Sequence, residues 1–570
     1  MTMNPTMRHP LLAALVTVAA LAMAPAQAAT ITVTTVDDAN PPATNGQCSL
    51  REALINASND AATYADCPAG TGDDVITFSY GLFTAANQYT ATINLVGRLV
   101  AGTATGTAHA LEIRPPGSIN LPRVRLAAST VSPHAVMDVL PTAKPFVLER
   151  TNIEGGRGLG GGGGIRLMSD DATFESVHFI DNQADSGGAL GQLYGNGNLR
   201  ISNGLFQDNH AADGRGGAIE LGSINPAHQV SIFNTSFIGN QAGSDGGAIL
   251  FEVAEGFSGM GTPLLDIAYS RFVDNSSGRN GGGLFAAAGF NVNQRMQVQI
   301  SDSLFRGNQA NSGLGGGVRV EGFSASQAGQ TRVHIQRSSF IDNRAADGGG
   351  GGLVGSNLDM HVENSLFAEN HALVSGAGLI HGASDVDSPP RTLTLIGNSF
   401  HRQTQTYSVP GRSLYLLLPP DASGWTLMFS GNLFDPASNS SGSDECMIGF
   451  IEGGSTQPPT LQGGDNLSPE ASCLFLGTAD IQAAPLMTAT SNSGNLLKPL
   501  LLLPQPGSPA IDAWRAEACK DRFNQPLTLD LRDATRPADG DGSGIADCDI
   551  GAFELPALPG TDFIFANGFE

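Results

Sequence analysis

Lysine is nearly missing from this chain. Only Lys144, Lys498 and Lys520 occur in 570 residues, and charged residues make up 14%, against about 25% in average domains. Acidic residues outnumber basic ones 53 to 29, for a net charge of −24. Such a surface repels nucleic-acid phosphates and anionic membranes and tolerates cations. No Cys-x-x-Cys spacing, Gly-x-Ser-x-Gly elbow, Cys–His pairing or phosphate-binding loop stands out. The common zinc, nucleophilic-hydrolase and nucleotide-binding signatures are therefore absent. Beyond the N-terminal segment, no apolar run approaches the ~20 residues needed to cross a bilayer.

Glycine, in contrast, supplies 73 residues, about twice its usual share of roughly 7%. Hydrophobic residues at 41% keep the chain out of the disordered class. A single ordinary core does not extend over 570 residues unless repetition extends it. The N-terminus has the form of a secretory signal peptide spanning 1–28: Arg8 as the positive region, Leu11 to Met23 as the apolar region, and Ala26-Gln27-Ala28 as a small-x-small cleavage site. Cleavage there starts the mature chain at Ala29. The alternative is an uncleaved anchor, for which the run is short. Six cysteines fall in close pairs, Cys48 and Cys67, Cys446 and Cys473, Cys519 and Cys548. Three local disulfides are expected in an exported chain, although six cysteines allow about 15 connectivities.

The middle of the chain repeats. The unit is Phe-x-x-Asn, a polar turn, then a Gly-rich step into a short apolar strand. Phe179 to Asn182 leads to Gly187-Gly188-Ala189-Leu190, and Phe237 to Asn240 leads to Gly246-Gly247-Ala248-Ile249. Phe206, Phe272, Phe305, Phe340 and Phe367 head the other units, with steps of 27, 31, 35, 33, 35 and 27 residues. That period marks a solenoid. Glycine and asparagine interrupt every window a helix would need, whereas Val230-Ser231-Ile232 and Val333-His334-Ile335 alternate as strands do. Each repeat thus offers two or three short strands, and stacking them predicts parallel sheets with Phe and Asn columns. Nine or ten coils are expected. An Asn column pairs each buried amide with the next.

These seven blocks between Phe179 and Gly378 resemble the repeats of polymorphic outer-membrane proteins and other right-handed β-helix proteins of bacteria. The resemblance implies an all-β chain: a right-handed single-stranded parallel β-helix with N- and C-terminal caps. Those outer-membrane proteins end in a membrane barrel. Here only about 130 residues follow the helix, without serial ten-residue strands, so self-translocation is not expected. Cys48-Ser49-Leu50-Arg51-Glu52-Ala53 resembles the Cys-Ser-Leu-Arg-Glu-Ala (CSLREA) domain at the start of exported β-helix proteins, with Arg51 and Glu52 as structural ion partners. Gly507 to Asp512 and Arg532 to Glu554 resemble the choice-of-anchor Q domain, which precedes surface-sorting tails. Phe563 to Glu570 is similar to a short terminal tag. The expected divisions are 29–145 for the N-terminal cap and first coils, 146–435 for the β-helix, 436–555 for the C-terminal cap and 556–570 for a linker and tail.

The best ion site in the sequence is Asp539-Gly540-Asp541-Gly542-Ser543-Gly544-Ile545-Ala546-Asp547. Oxygen donors at alternating positions, Asp539, Asp541, Ser543, Ile545 (through its carbonyl) and Asp547, match the first half of a calcium loop. The twelfth position is Ile550 rather than Glu, and a solvated acidic turn is the alternative. Asp185, Asp213, Asp245 and Asp347 precede glycines and are turn formers or, alternatively, an acidic stripe. Asp170 and Asp171 are adjacent, so on a strand they would face opposite ways, which is poor geometry for a hydrolase carboxylate pair. No lysine lies between Lys144 and Lys498 to serve a pectate-lyase-like proton abstraction. Arg215, Arg279, Arg319 and Arg344 are spread over the repeats, and His178, His210, His334, His361 and His371 show no metal spacing. No catalytic residue is assigned.

The leading expectation is a non-enzymatic exported or cell-surface scaffold for adhesion or glycan contact. Ca²⁺ is its candidate cofactor, an extracellular glycan or host-surface ligand its partner, and nucleic acid is excluded. The alternative is a polysaccharide lyase or glycoside hydrolase on the same fold.

Overall fold

A computed structural model describes residues 28–557 apart from 118–120, 193–196, 225–227, 254–260, 289–294, 323–330, 437–443, 453–455, 477–478, 492–494 and 516. The signal-peptide segment, apart from Ala28, and the terminal tag lie outside the described residues. The chain winds through four sheets, here S1 to S4, once per coil. One coil runs Gln229–Phe233 in S1, Ser236–Ile238 in S2, Gln241–Ala242 in S3 and Ile249–Val253 in S4. S1 and S2 hold 14 strands each, S3 eight and S4 12. Within each sheet every strand pairs in parallel with the strand of the next coil, as Val230 with Leu265 and Phe237 with Phe272. The architecture is the expected right-handed parallel β-helix. It is longer than expected. Stacking begins at Ala29–Val33, and in place of nine or ten coils the 14 strands of S1, at ~4.8 Å per strand, make a rod of about 62 Å.

Alternation puts one face of each strand inside. In Gln229–Phe233, Val230 and Ile232 are buried while the flanking residues are not. The Phe of each repeat forms a single interior column of nine rings from Phe179 to Phe434. Neighbouring centroids lie 4.5–5.2 Å apart and the planes are within 11° of parallel. Each buried ring contributes about 1.5–3 kcal/mol. Beside it stands the Asn ladder. The Nδ2 of Asn240 donates to Phe206 O of the coil below (2.9 Å) and to Asn275 Oδ1 of the coil above (2.9 Å). Its Oδ1 accepts from the backbone N and Nδ2 of Asn209. Both hydrogens and both lone pairs are used, so full burial carries no unmet polar group. The pattern repeats through Asn343 and Asn370 and ends on Gln403.

A second polar column, not anticipated from the repeat, lines the S1–S2 corner. The backbone N–H of Thr235, Ser270, Ser303 and Ser338 each donates to the hydroxyl one coil on, at 3.1–3.2 Å. From Ser365 onwards Asn398, Asn432 and Asn466 take over. Corners need left-handed backbone. Before S4 a glycine supplies it, because a Cβ at Gly246 would meet Ile249 O at 2.3 Å. At the S1–S2 corner non-glycine residues accept the strain: Asn203, Asn234, Tyr269, Asp302, Arg337 and Asn364 all have φ between 43° and 55°.

At the N-terminal end helix α1 (Leu50–Asn59) lies against the first coils, with Leu50, Ala53 and Leu54 buried. Ser49 and Glu52 form its capping box. Arg51 bonds Asp38 through two nitrogens at 2.8 Å and the carbonyls of Gly97 and Arg98. Arg51 is thus an ion partner, and Glu52 is a helix cap. Cysteines pair Cys48–Cys67, Cys446–Cys473 and Cys519–Cys548, as expected. Cys446–Cys473 ties the last S4 strand to the turn beyond it. Buried Glu445 beside it is pushed up to about 7, because burial outweighs its bonds to Ser413 and Arg412.

Residues 485–555 do not extend the stack. They turn back along the S1–S2 corner as a strap. Trp514 covers Gly431, where a Cβ would meet the indole at 2.3 Å, and Gly397. Gly551 N donates to Gly431 O (2.8 Å), Ala552 N to Ser399 Oγ (2.9 Å) and Arg536 Nη1 to Asn364 Oδ1 (2.9 Å). Furthest back, Lys498 Nζ reaches Asp302 at 3.3 Å. Replacing Phe272 with Ala is expected to cost about 3–5 kcal/mol through the cavity left in the column. Replacing Asn275 with Ala is expected to cost about 1–3 kcal/mol by leaving ladder groups unpaired. Urea unfolding midpoints followed by circular dichroism measure both.

Candidate functional site

The left-handed S1–S2 corner makes a track along the rod. The strap covers it from Asp302 to Gly431 and leaves Asn203, Asn234 and Tyr269 open. The open end carries an exposed aromatic pair, Phe233 (47% exposed) and Tyr269 (44%), with ring centroids 5.4 Å apart and edge-on. Asn234 Nδ2 donates to Asn203 Oδ1 at 2.6 Å, and Arg271 Nε to Ser236 Oγ at 2.8 Å. Asn234, Thr235, Ser236, Tyr269 and Arg271, with Asn495, Leu496 and Leu497 of the strap, line a groove of about 580 Å³. Its walls offer an aromatic face, amides and a guanidinium, groups that stack on and hydrogen-bond to polyhydroxylated ligands. Nothing in the repeat pattern marked the groove, because its second wall comes from a segment more than 200 residues later.

The calcium-loop residues are only partly brought together. A carboxylate oxygen from each of Asp539, Asp541 and Asp512 lies within 4.8 Å of the other two. Asp512 is supplied by the Gly507–Asp512 block rather than by the loop, and its carboxylate accepts from Asp541 N at 2.8 Å. Ser543 stays beside Asp541, its backbone N donating to Asp541 Oδ1 at 2.8 Å, and its Oγ accepts from the backbone N of Ile545, whose side chain is exposed. Asp547 sits nearer Asp465, whose carboxyl burial raises. Asp549, behind the loop, is pushed up to about 7 by burial and by Glu554.

Asp170 pairs with Lys144 at 2.9 Å and Asp171 accepts from Asn198 N at 2.7 Å, so the two serve different partners. Asp185 accepts from Gly160 N, and Asp245 binds Asn280. Asp213 and Asp347 stand three residues before their left-handed glycines, Asp185 two and Asp245 one, so the four do not align into a stripe. An acidic edge does exist elsewhere. The third residue of Phe-x-x-Asn presents exposed Asp181, Asp208, Asp274, Asp342 and Glu369 at the S2–S3 corner. Arg215 pairs with Glu252 at 2.6 Å and Arg279 with Asp245 at 3.7 Å. Arg319 pairs with Glu321 at 3.1 Å, and Arg344 lies exposed on S3.

The histidine expectation needs correction. His334 and His361 have no ligand spacing along the chain, yet they are register partners on adjacent S1 strands with ring centroids 4.8 Å apart. His178, His210 and His371 join no cluster of metal-ligand type among the described residues. A second concavity, of about 250 Å³, lies at the N-terminal end between α1 and the first coils. His109 Nε2 lies 3.5 Å from Asp60, and burial raises the neighbouring Asp74 carboxyl.

With this geometry in place, the family model of the Chlamydia polymorphic membrane protein repeat matches residues 234–252. The match spans part of one coil, from the S1–S2 corner through the Phe237 unit into the S4 strand. No curated protein and no solved structure matches the chain. The likeness is to the repeat, and the repeat stands in a parallel solenoid. Among the described residues no helix is long and apolar enough to cross a membrane.

His381 differs from the other histidines. It points into the lumen, fully buried, beside Gly355 and 6.0 Å from Trp425. Burial drives it down to about 3. Its folded value is below the unfolded one of about 6.5, so the unfolded chain binds more protons between these values. Its contribution is intact above about pH 6.5 and is lost as pH falls toward 3, by about 1.4 kcal/mol per unit. Glu445 and Asp549, raised to about 7, act oppositely: their contribution is full at low pH and gone above 7. Comparing urea midpoints of wild type and His381→Leu from pH 7 to 4 isolates the histidine. The variant is expected to show the shallower acid loss.

Proposed function

We propose that this chain is an exported, cell-surface β-helix scaffold that holds an extracellular polysaccharide in the groove at the open end of the S1–S2 track. The observation that carries the reading is Tyr269. Left-handed backbone suits Asn, Asp or Gly, and a bulky side chain there costs about 1–2 kcal/mol. Most coils use Asn, Asp or Gly at this corner; Arg150, Ser176 and Arg337 also stand there, Arg337 paired with Asp302 and Asp533, and at the uncovered coil a tyrosine stands exposed beside Phe233. Such strain persists where a side chain is wanted for contact. The acidic surface favours neutral or cationic glycans.

Export enters the same reading. Ala29 opens the first strand and pairs with Asp74, so cleavage after Ala28 would leave every sheet intact. The Cys48–Ala57 block, read as a CSLREA domain, is placed to close the first coils. The Gly507–Glu554 block, read as a choice-of-anchor Q domain, would present the tail for sorting from the flank of the rod. Calcium is proposed at Asp512, Asp539 and Asp541, where neutralising three clustered carboxylates would stiffen the strap. The N-terminal concavity favours the second reading, a polysaccharide lyase or hydrolase, because a raised carboxyl beside a His–carboxylate pair is an acid–base arrangement.

Three measurements test these readings. Affinity electrophoresis against a panel of extracellular polysaccharides, with cleavage followed as new reducing ends and unsaturated products, is expected to show retention without cleavage. Tyr269→Asn is expected to cut retention at least tenfold while raising the unfolding midpoint; unchanged retention by this variant rejects the groove. Cleavage abolished by Asp60→Asn would transfer the assignment to the enzyme. Calorimetry is expected to show one Ca²⁺ site that disappears in Asp539→Asn/Asp541→Asn. N-terminal sequencing of the exported chain is expected to begin at Ala29.

A further inference from the structure

We infer that His334, His361 and Glu363 form a binding site for a first-row transition-metal dication, Zn²⁺ in type, on the outer face of S1. Strand alternation starts the argument. Met360 and Val362 point into the lumen, which turns His361 and Glu363 outward on the same strand. In-register pairing then sets His334 directly beside His361 one coil away. One ring nitrogen from each histidine and a carboxylate oxygen of Glu363 lie within 4.8 Å of one another. His361 Nε2 and Glu363 Oε2 are 2.8 Å apart.

Two further observations point to a ligand. His334 Nε2 and His361 Nδ1 are buried and have no hydrogen-bond partner among the described residues, an arrangement that costs about 1–3 kcal/mol per group unless something binds there. His361 itself is only 3% exposed. Two imidazoles and one carboxylate with an open remainder are a donor set for zinc and its neighbours rather than for calcium. The strap residues Asp521 and Arg522 face the same group, and Arg332 lies on the His334 strand. Asp521 adds to the pull on a cation. Arg522 interacts with Glu363, and an incoming dication would compete with it. Because the donors come from neighbouring coils, a bound ion would clamp two turns of the solenoid together.

The test uses the untagged full chain stripped with chelator and titrated with Co²⁺ and Zn²⁺. One saturable equivalent is expected, with a visible Co²⁺ band of nitrogen ligation, a raised thermal midpoint and displacement of Co²⁺ by Zn²⁺. His334→Gln and His361→Gln are each expected to weaken binding at least tenfold, whereas Asp539→Asn/Asp541→Asn leaves it unchanged. X-ray absorption at the cobalt edge of the wild-type chain needs no variant and is expected to show two imidazole scatterers. Absence of saturable binding, an all-oxygen shell, or binding that survives loss of both histidines overturns the site.

Discussion

The whole molecule depends on strict registry between one coil and the next. A buried asparagine is tolerable only when the coils above and below present hydrogen-bond partners at the same height, in most coils another asparagine. Asn240 shows why: it donates down to Phe206 O, donates up to Asn275, and accepts twice from Asn209. A slip of one residue would leave four polar groups without partners in an apolar lumen and turn the Phe column outward. Registry therefore explains the tolerance of the loops as well. The repeat length varies from 27 to 35 residues, while the spacing from Phe to Asn never changes.

Much of this was legible because the ladder forces its own signature onto the sequence. Phe-x-x-Asn recurs wherever the column needs it, and paired cysteines sit where the ends need closure. The hydroxyl column was harder to read. Thr235, Ser270, Ser303 and Ser338 stand two residues before each Phe, but hydroxyl residues are common in loops and Asn replaces them farther along. Coils before residue 146 were expected, but the total of nine or ten fell short of the 14 strands of S1 because those strands carry no Phe-x-x-Asn to count. Histidines were judged by their spacing along the chain. In a solenoid the relevant neighbour is one coil away, 27 residues for His334 and His361, and local spacing rules do not look that far.

The strap is the part that sequence patterns could not place. It has no repeat, and its contacts are set by the shape of a corner: Gly397 and Gly431 leave room for Trp514, and Asn364 accepts from a buried Arg536 that also binds Glu554 at 2.7 Å. The same corner, uncovered, becomes the groove. A single geometric feature, a left-handed residue repeated at one edge of every coil, thus serves as a docking seat at one end of the rod and as an open surface at the other.

Each coil needs only its predecessor, about 30 residues earlier, to become stable. Coils can therefore settle one by one as the chain becomes available. The strap obeys a different clock. Lys498 meets Asp302 across 196 residues, and the Arg536 junction waits for Glu554, so it can close only after residue 554 is present. In effect the strap works as a latch, distinguishing a rod whose coils are all in place from one that has stalled part-way.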